Sequence, residues 1–154
     1  MTEFADVYER FLIKAESYSF LELKVENREH VLKSYLFDAI ARFQPFCDDI
    51  DLNDYDEDIE CFNQTLDNTI IYILAENMVL VWLKKQITRE ETLRNMLNEK
   101  DYSAFSPANL LNALNDAYKE LNSECYSFMN DYSLSKLDTM KLFNEVFKRW
   151  IHLN

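Results

Sequence analysis

The chain of 154 residues contains no glycine, and that absence restricts its folds more than any residue it does contain. Tight primed hairpin turns and bulges call for φ > 0, which glycine supplies without steric cost. Phosphate-cradling loops and dinucleotide fingerprints also need glycine, so P-loop nucleoside triphosphatases, Rossmann enzymes and the glycine-bearing nucleophile elbow are excluded. Helices have no such requirement, because asparagine or a break in the apolar pattern can end them. The chain is therefore expected to be all-α.

Its length suits one domain, which at this size buries roughly 70% of its unfolded surface. Eleven Phe, nine Tyr and two Trp are available for the core. Cys47, Cys61 and Cys125 stand at unrelated spacings. That is neither a zinc pattern nor a disulfide framework, and they read as small apolar fillers in a reducing compartment. Met1-Thr2-Glu3-Phe4 carries no basic or apolar leader pattern, so no secretion signal is expected. The longest apolar stretch, Ile70 to Leu83, is interrupted by Glu76 and Asn77 and is too short to cross a bilayer. Net charge is −12. A protein that grips phosphates shows a basic stripe, and none is visible. Contact with basic proteins stays open.

Apolar periodicity predicts a single-domain bundle of about five to six helices. Thr2 is expected to cap a first helix to about Ala15, with Phe4, Val7, Tyr8, Phe11 and Leu12 on one face. Ser17 to Lys24 is a connector whose Leu21 and Leu23 turn inward. A second helix runs from about Glu26 to Phe43, where Pro45 stops it. After an acidic irregular stretch, Cys61 to Leu66 allows extended backbone. Asp67 then caps a third helix, about 68–86, that is apolar nearly all round and so belongs at the centre. Thr88-Arg89-Glu90-Glu91 reads as a capping box opening a short helix that stops near Asn98. Ser106-Pro107 opens the longest helix, to about Tyr132. Following a break at Ser133 to Ser135, Asp138 caps a last amphipathic helix. Two parts result: a bundle over 1–132 and an arm over 133–154.

Between Arg42 and Lys84 there are ten carboxylates and no Lys or Arg. Most of them stand in a loop with Asp48, Asp49, Asp51, Asp54, Asp56, Glu57 and Asp58. Numbered as a calcium loop, Asp49, Asp51, Asn53, Glu57 and Glu60 occupy ligand positions. The pattern fails where Asp54 replaces the turn glycine and Asp56 the usual apolar residue, so the loop reads as a solvated or partner-facing acidic surface. His30 and His152 are the only histidines, and neither stands in a recognisable nucleophilic arrangement. No catalytic, cofactor or metal residue is assigned, and the chain is not expected to be an enzyme. The arm carries Lys136, Lys141, Lys148 and Arg149 against Asp138 and Glu145, a net +2 that leaves −14 on the first 132 residues. It either completes its own core or docks on an acidic neighbour through Phe143, Phe147 and Trp150, flanked by Lys148 and Arg149.

The order of short motifs over about residues 4 to 133 resembles the head–tail adaptor (head-completion or neck) proteins of tailed bacteriophages. The motifs are Tyr8-Glu9-Arg10-Phe11-Leu12, Tyr35-Leu36 with Ala39-Ile40 and Phe43, and Phe62-Asn63 with Leu66. They continue through Ile73-Leu74-Ala75, Met78-Val79, Trp82-Leu83, Ser106-Pro107-Ala108-Asn109 and Asp131-Tyr132-Ser133. The resemblance implies a structural virion subunit made in the host bacterial cytoplasm. Such subunits form a ring, commonly twelve-fold, at the neck. The partners implied are other copies of the chain, the portal and a stopper or tail protein. DNA passes through without specific binding, and no membrane, cofactor or catalytic residue is involved. Composition alone also fits a rival of another class, a small acidic inhibitor that imitates DNA and binds a nucleic-acid enzyme.

Overall fold

The computed structural model describes residues 1–21, 23–25, 28–105 and 109–153. Five helices make an all-α bundle: α1 (Phe4–Glu16), α2 (Glu29–Phe43), α3 (Asn68–Met96), α4 (Glu99–Phe105) and α5 (Leu110–Leu153). Three two-residue strands, β1 (Thr2–Glu3), β2 (Tyr55–Asp56) and β3 (Cys61–Phe62), form a small antiparallel sheet in the order β1-β3-β2. Thr2 and Tyr55 both pair with Phe62, so β3 ties the start of the chain to the acidic loop.

The central helix is α3, as its all-round apolar pattern requires. Ile70, Ile73, Leu74, Met78, Val79, Leu80, Trp82 and Leu83 are all buried, and α1, α2 and α5 pack around it. Phe11 and Tyr18 meet the Trp82 ring edge-on at 6.5 and 6.2 Å. Leu21 and Leu23 do turn inward. Cys47, Cys61 and Cys125 are free thiols, buried among apolar neighbours. Burial pushes the thiols of Cys47 and Cys125 up to about 12, which keeps them protonated and unreactive near neutrality.

Two polar residues interrupt this helix and are buried with it, Glu76 at 3% and Asn77 at 0% exposure. Asn77 donates to the Ile73 carbonyl at 2.9 Å and accepts from Arg42 Nε at 3.1 Å. Arg42 Nη2 also donates to Asn122 at 3.0 Å, so one guanidinium pins α2 to both α3 and α5. Glu76 Oε1 lies 3.5 Å from Lys14 Nζ on α1, whereas its Oε2 has no close hydrogen-bond partner among the described residues.

Several boundaries differ from expectation. Thr2 does not cap α1; it is buried in β1, where its hydroxyl accepts from Leu66 N at 2.8 Å. Glu3 is the N-cap instead, and its amide donates to Asp6 at 3.2 Å. Asp67 caps α3 as expected, accepting from Ile70 N at 2.9 Å.

Two expected breaks are absent. Helix α3 continues through Thr88, and the hydroxyls of Thr88 and Thr92 donate back to the carbonyls of Lys84 and Thr88 at 3.0 and 2.8 Å. A hydroxyl that bonds to its own preceding turn is compatible with helix and no longer acts as a cap. The stop expected near Asn98 is present, since α3 ends at Met96, and Asn98 itself serves the next helix by accepting from Asp101 N at 2.9 Å at the head of α4. At Ser133 to Ser135 the same chemistry removes the second break, Ser135 donating to Tyr132 O at 2.7 Å and Thr139 to Ser135 O at 2.9 Å. Asp138 is therefore interior to α5 and caps nothing. The predicted helix starts at Glu26 and Ser106-Pro107 lie outside the described residues.

With no glycine to use, the left-handed positions among the described residues fall to Glu60 (φ 52°) and Asn109 (φ 65°). Asparagine tolerates that region, whereas for glutamate it costs about 1 kcal/mol. Glu60 is held there from both sides: its carbonyl accepts from Phe4 N at 2.8 Å and its carboxylate pairs with Lys33.

A candidate docking site at the projecting end of α5

Helix α5 is longer than the fold it packs on. Its partner contacts run Tyr118 with Lys84, Phe128 with Tyr72 and Lys136 with Asp67. Rising numbers on α5 meet falling numbers on α3, so the two helices are antiparallel. Asp67 is the residue that caps α3, hence α5 has no α3 beside it beyond Lys136. From Leu137 to Leu153 it projects as an arm of about 26 Å at 1.5 Å per residue.

The stripe that is buried in the body, Leu114, Leu121, Cys125, Met129 and Tyr132, continues outward along the arm. There Phe143 is 67%, Phe147 50% and Trp150 60% exposed. Phe147 stacks between the other two rings, 6.2 Å from each. Met140, Leu142, Val146 and Ile151 are exposed beside them, so the apolar arc covers more than half the circumference of the arm. Lys148 and Arg149 lie exposed on the same final turns, where cations favour a helix C-terminus.

The root of the arm is clamped by the acidic loop. Tyr132 donates its hydroxyl to Asp49, with both carboxylate oxygens within 3.0 Å. Lys136 Nζ lies 3.3 Å from the same carboxylate, 4.0 Å from Asp67 and 5.1 Å above the Tyr132 ring. Burial, then the Asp49 carboxylate, hold the Tyr132 hydroxyl firmly protonated and far above its ordinary range, so it remains a donor. Beside the clamp opens a cleft of about 130 Å³ lined by Phe46, Asp48, Asp49, Ser133, Lys136, Leu137 and Met140.

The remaining acidic residues are spread apart. Asp51 accepts from Asn53 N at 2.9 Å, Asp54 from Asn63 and Gln64 at 2.7 and 3.2 Å, and Asp56 from Asp58 N at 2.9 Å. Those two amides hold the Asp54 carboxyl below its usual range. Asp48, Glu57 and Asp58 are exposed. Of the residues in the calcium numbering, Asp49 is engaged by Tyr132 and Lys136, Asp51 accepts from Asn53 N and Glu60 pairs with Lys33, and among the described residues no three His, Cys, Asp or Glu side chains converge on a metal position.

Of the residues expected at a partner site, Phe143, Phe147, Lys148, Arg149 and Trp150 share the arm, and Asp48 and Asp49 come to its root. Asp51, Asp54, Asp56, Glu57 and Asp58 do not join them. Phe46, Tyr132 and Lys136 were not anticipated as root residues; the one available signal was the position of Tyr132 at the end of the apolar stripe. His30 is exposed at the start of α2, and the His152 side chain lies outside the described residues. No helix among the described residues is long and apolar enough to cross a membrane. No protein-family model, curated protein or solved structure matches the chain.

Proposed function

We propose that this protein is a structural subunit that joins other proteins, and specifically a head–tail connector of a tailed bacteriophage. In that role copies form a ring between the capsid portal and the stopper or tail. The carrying observation is the arm: about 26 Å of helix beyond its own bundle, with three stacked aromatic rings facing outward. Exposed aromatic side chains are the anchors most enriched in protein interfaces. The motif order over about residues 4 to 133 supplies the particular assembly. An acidic body fits it, since a wall of carboxylates repels the phosphates of passing DNA.

Purified particles and necks, analysed by mass spectrometry and electron microscopy, test this reading. The chain is expected in intact particles, at a copy number matching a ring, with density at the neck. Its recovery only from the particle-free lysate, bound to a nucleic-acid enzyme, overturns the connector reading in favour of an acidic DNA-imitating inhibitor.

A further inference from the structure

Helices α2 and α3 are antiparallel, since Ser34 accepts from Lys85 Nζ at 3.1 Å while Arg42 meets Asn77. Helix α5 is antiparallel to α3 as well, so α2 and α5 run parallel on either side of it. At one end Arg42 bridges them, reaching Asn122 and lying 5.8 Å over the Tyr126 ring of α5. Toward Lys84 and Lys85 they leave an open groove of about 350 Å³. Leu80 and Val81 of α3 form its floor, with Asp38 on one wall and Tyr118 on the other.

The fold thereby brings together Arg42 and Lys84, the two cations that bound the long interval without Lys or Arg, and adds Lys85. Against Asp38 the groove is +2, in a chain of −12. Among the described residues none of its three cations is within ion-pair distance of a carboxylate. Lys84 Nζ rests 5.5 Å over the Tyr118 ring and Lys85 Nζ 4.3 Å over Tyr35. Arg42 is half-buried; its Nε and Nη2 bond neutral amide oxygens, and its Nη1 makes no hydrogen bond among the described residues. Rings and amides orient a cation without neutralising it. From Asn77, where Arg42 is held, to Lys84 is seven residues of helix, about 10 Å. Two positive ends that far apart, with an apolar floor between them, match one face of a helix that is acidic at i and i+7 and apolar at i+3 or i+4. The volume stands near the lower end of ligand pockets, so it takes those three side chains while the helix backbone stays outside. A nucleic acid has nothing apolar for the floor at that spacing, and the acidic chain repels it along its length.

We infer that the groove between α2 and α5 binds an acidic amphipathic helix of another protein. One carboxylate lies at Arg42, the next at Lys84 and Lys85, and an apolar side chain covers Leu80 and Val81. The inference goes beyond the connector reading and does not depend on it.

Fluorescence polarisation with a labelled, alanine-rich peptide of about 15 residues, long enough to be partly helical, tests it. The peptide carries two glutamates seven residues apart and a leucine midway. In about 0.15 M salt it is expected to bind with a Kd below about 1 mM, and the same peptide with glutamines is expected not to bind. Lys84→Glu with Lys85→Glu is expected to weaken binding at least about tenfold. Arg89→Glu with Arg94→Glu removes the same charge from α3 outside the groove and is expected to change binding less than about threefold. All four side chains are exposed, and circular dichroism checks that both variants fold. Failure of the glutamate peptide to bind, equal loss in the two variants, or displacement of the peptide by a DNA oligonucleotide of equal charge overturns the inference. So does self-association in sedimentation that disappears with Lys84→Glu and Lys85→Glu, since a second copy then fills the groove. The connector reading is decided separately, by the presence of the chain in particles.

Discussion

Replacing Glu76 with Gln is expected to stabilise the protein, and the gain is expected to depend on pH. Glu76 is 3% exposed, its Oε2 has no close hydrogen-bond partner among the described residues, and the counter-charge beside it is Lys14 at 3.5 Å. Burial raises its pKa above the ordinary glutamate value; Lys14 and the Tyr72 hydroxyl oppose the shift, and Glu124 adds to it. A buried, unpartnered polar oxygen costs about 1–3 kcal/mol. The Lys14 side chain is 37% exposed, so solvent screens the compensating attraction to about 1 kcal/mol or less. Gln keeps the volume and removes the charge, which leaves the variant more stable by about 1 kcal/mol near pH 8, or about 2–4 °C in Tm for a chain of this size. The sign with pH follows from proton binding. Below the ordinary carboxyl pKa of about 4.3, Glu76 is protonated in both folded and unfolded chains and behaves like Gln. Between that value and the raised folded value, the native state still holds a proton that the unfolded state has released. Wild-type stability therefore falls as pH rises through that window, and the variant pulls ahead. Thermal unfolding followed by far-ultraviolet circular dichroism from about pH 4 to 8 measures the difference. A Tm gap that is the same at both ends, or a Gln variant less stable at the alkaline end, refutes the reasoning. The converse change, Lys14→Met, strands the carboxylate and is expected to lower Tm at pH 8 more than at pH 4.

Further expectations concern the caps, the clamp and the arm. Tyr132→Phe removes the donor to Asp49 and should cost about 1.5 kcal/mol, read in urea denaturation, with faster amide exchange at residues 130–140; unchanged exchange there would mean that Asp49 does not hold the root. Asp67→Ala strips the side-chain cap of α3 and should cost about 1 kcal/mol. Leu74→Ala, at a fully buried position facing the other helices, should cost about 2–5 kcal/mol by the same assay. Trp150→Asp should leave the denaturation midpoint within about 0.5 kcal/mol of wild type while abolishing incorporation into particles; a large stability loss would show that the arm packs on its own body. Calorimetric titration with calcium should give no binding heat, since the loop carboxylates already serve separate partners.

Periodicity carried the reading of α1, α2 and α3 because burial repeats every 3.6 residues wherever a helix lies against a core. Asp67 was legible as a cap because a carboxylate before an apolar run has few other uses. Thr88 and Ser133 to Ser135 misled for one shared reason: a hydroxyl can cap a new helix or bond back to an existing one, and the outcome depends on whether the preceding turn is already helical. In both places it is, and no glycine or proline competes.

The arm shows a deeper limit. The spacing of Phe143, Phe147 and Trp150 says that one face of a helix is apolar, yet it is silent on whether the cover comes from the same chain. What decides is a comparison of two lengths, each spread over many residues. Measured from the Lys136–Asp67 contact, α5 runs on while α3 has already ended at its cap. A stripe evenly spaced from Leu114 to Trp150 is then divided, at Tyr132 and Lys136, into a part that holds the bundle together and a part left exposed. That division is set by where Asp67 stops a different helix, so no local pattern within α5 could have revealed it. The clamp follows from the same geometry. Where the inner stripe ends, a tyrosine hydroxyl and a lysine meet one aspartate from the acidic loop, so a polar contact holds the arm at the point where it leaves the bundle.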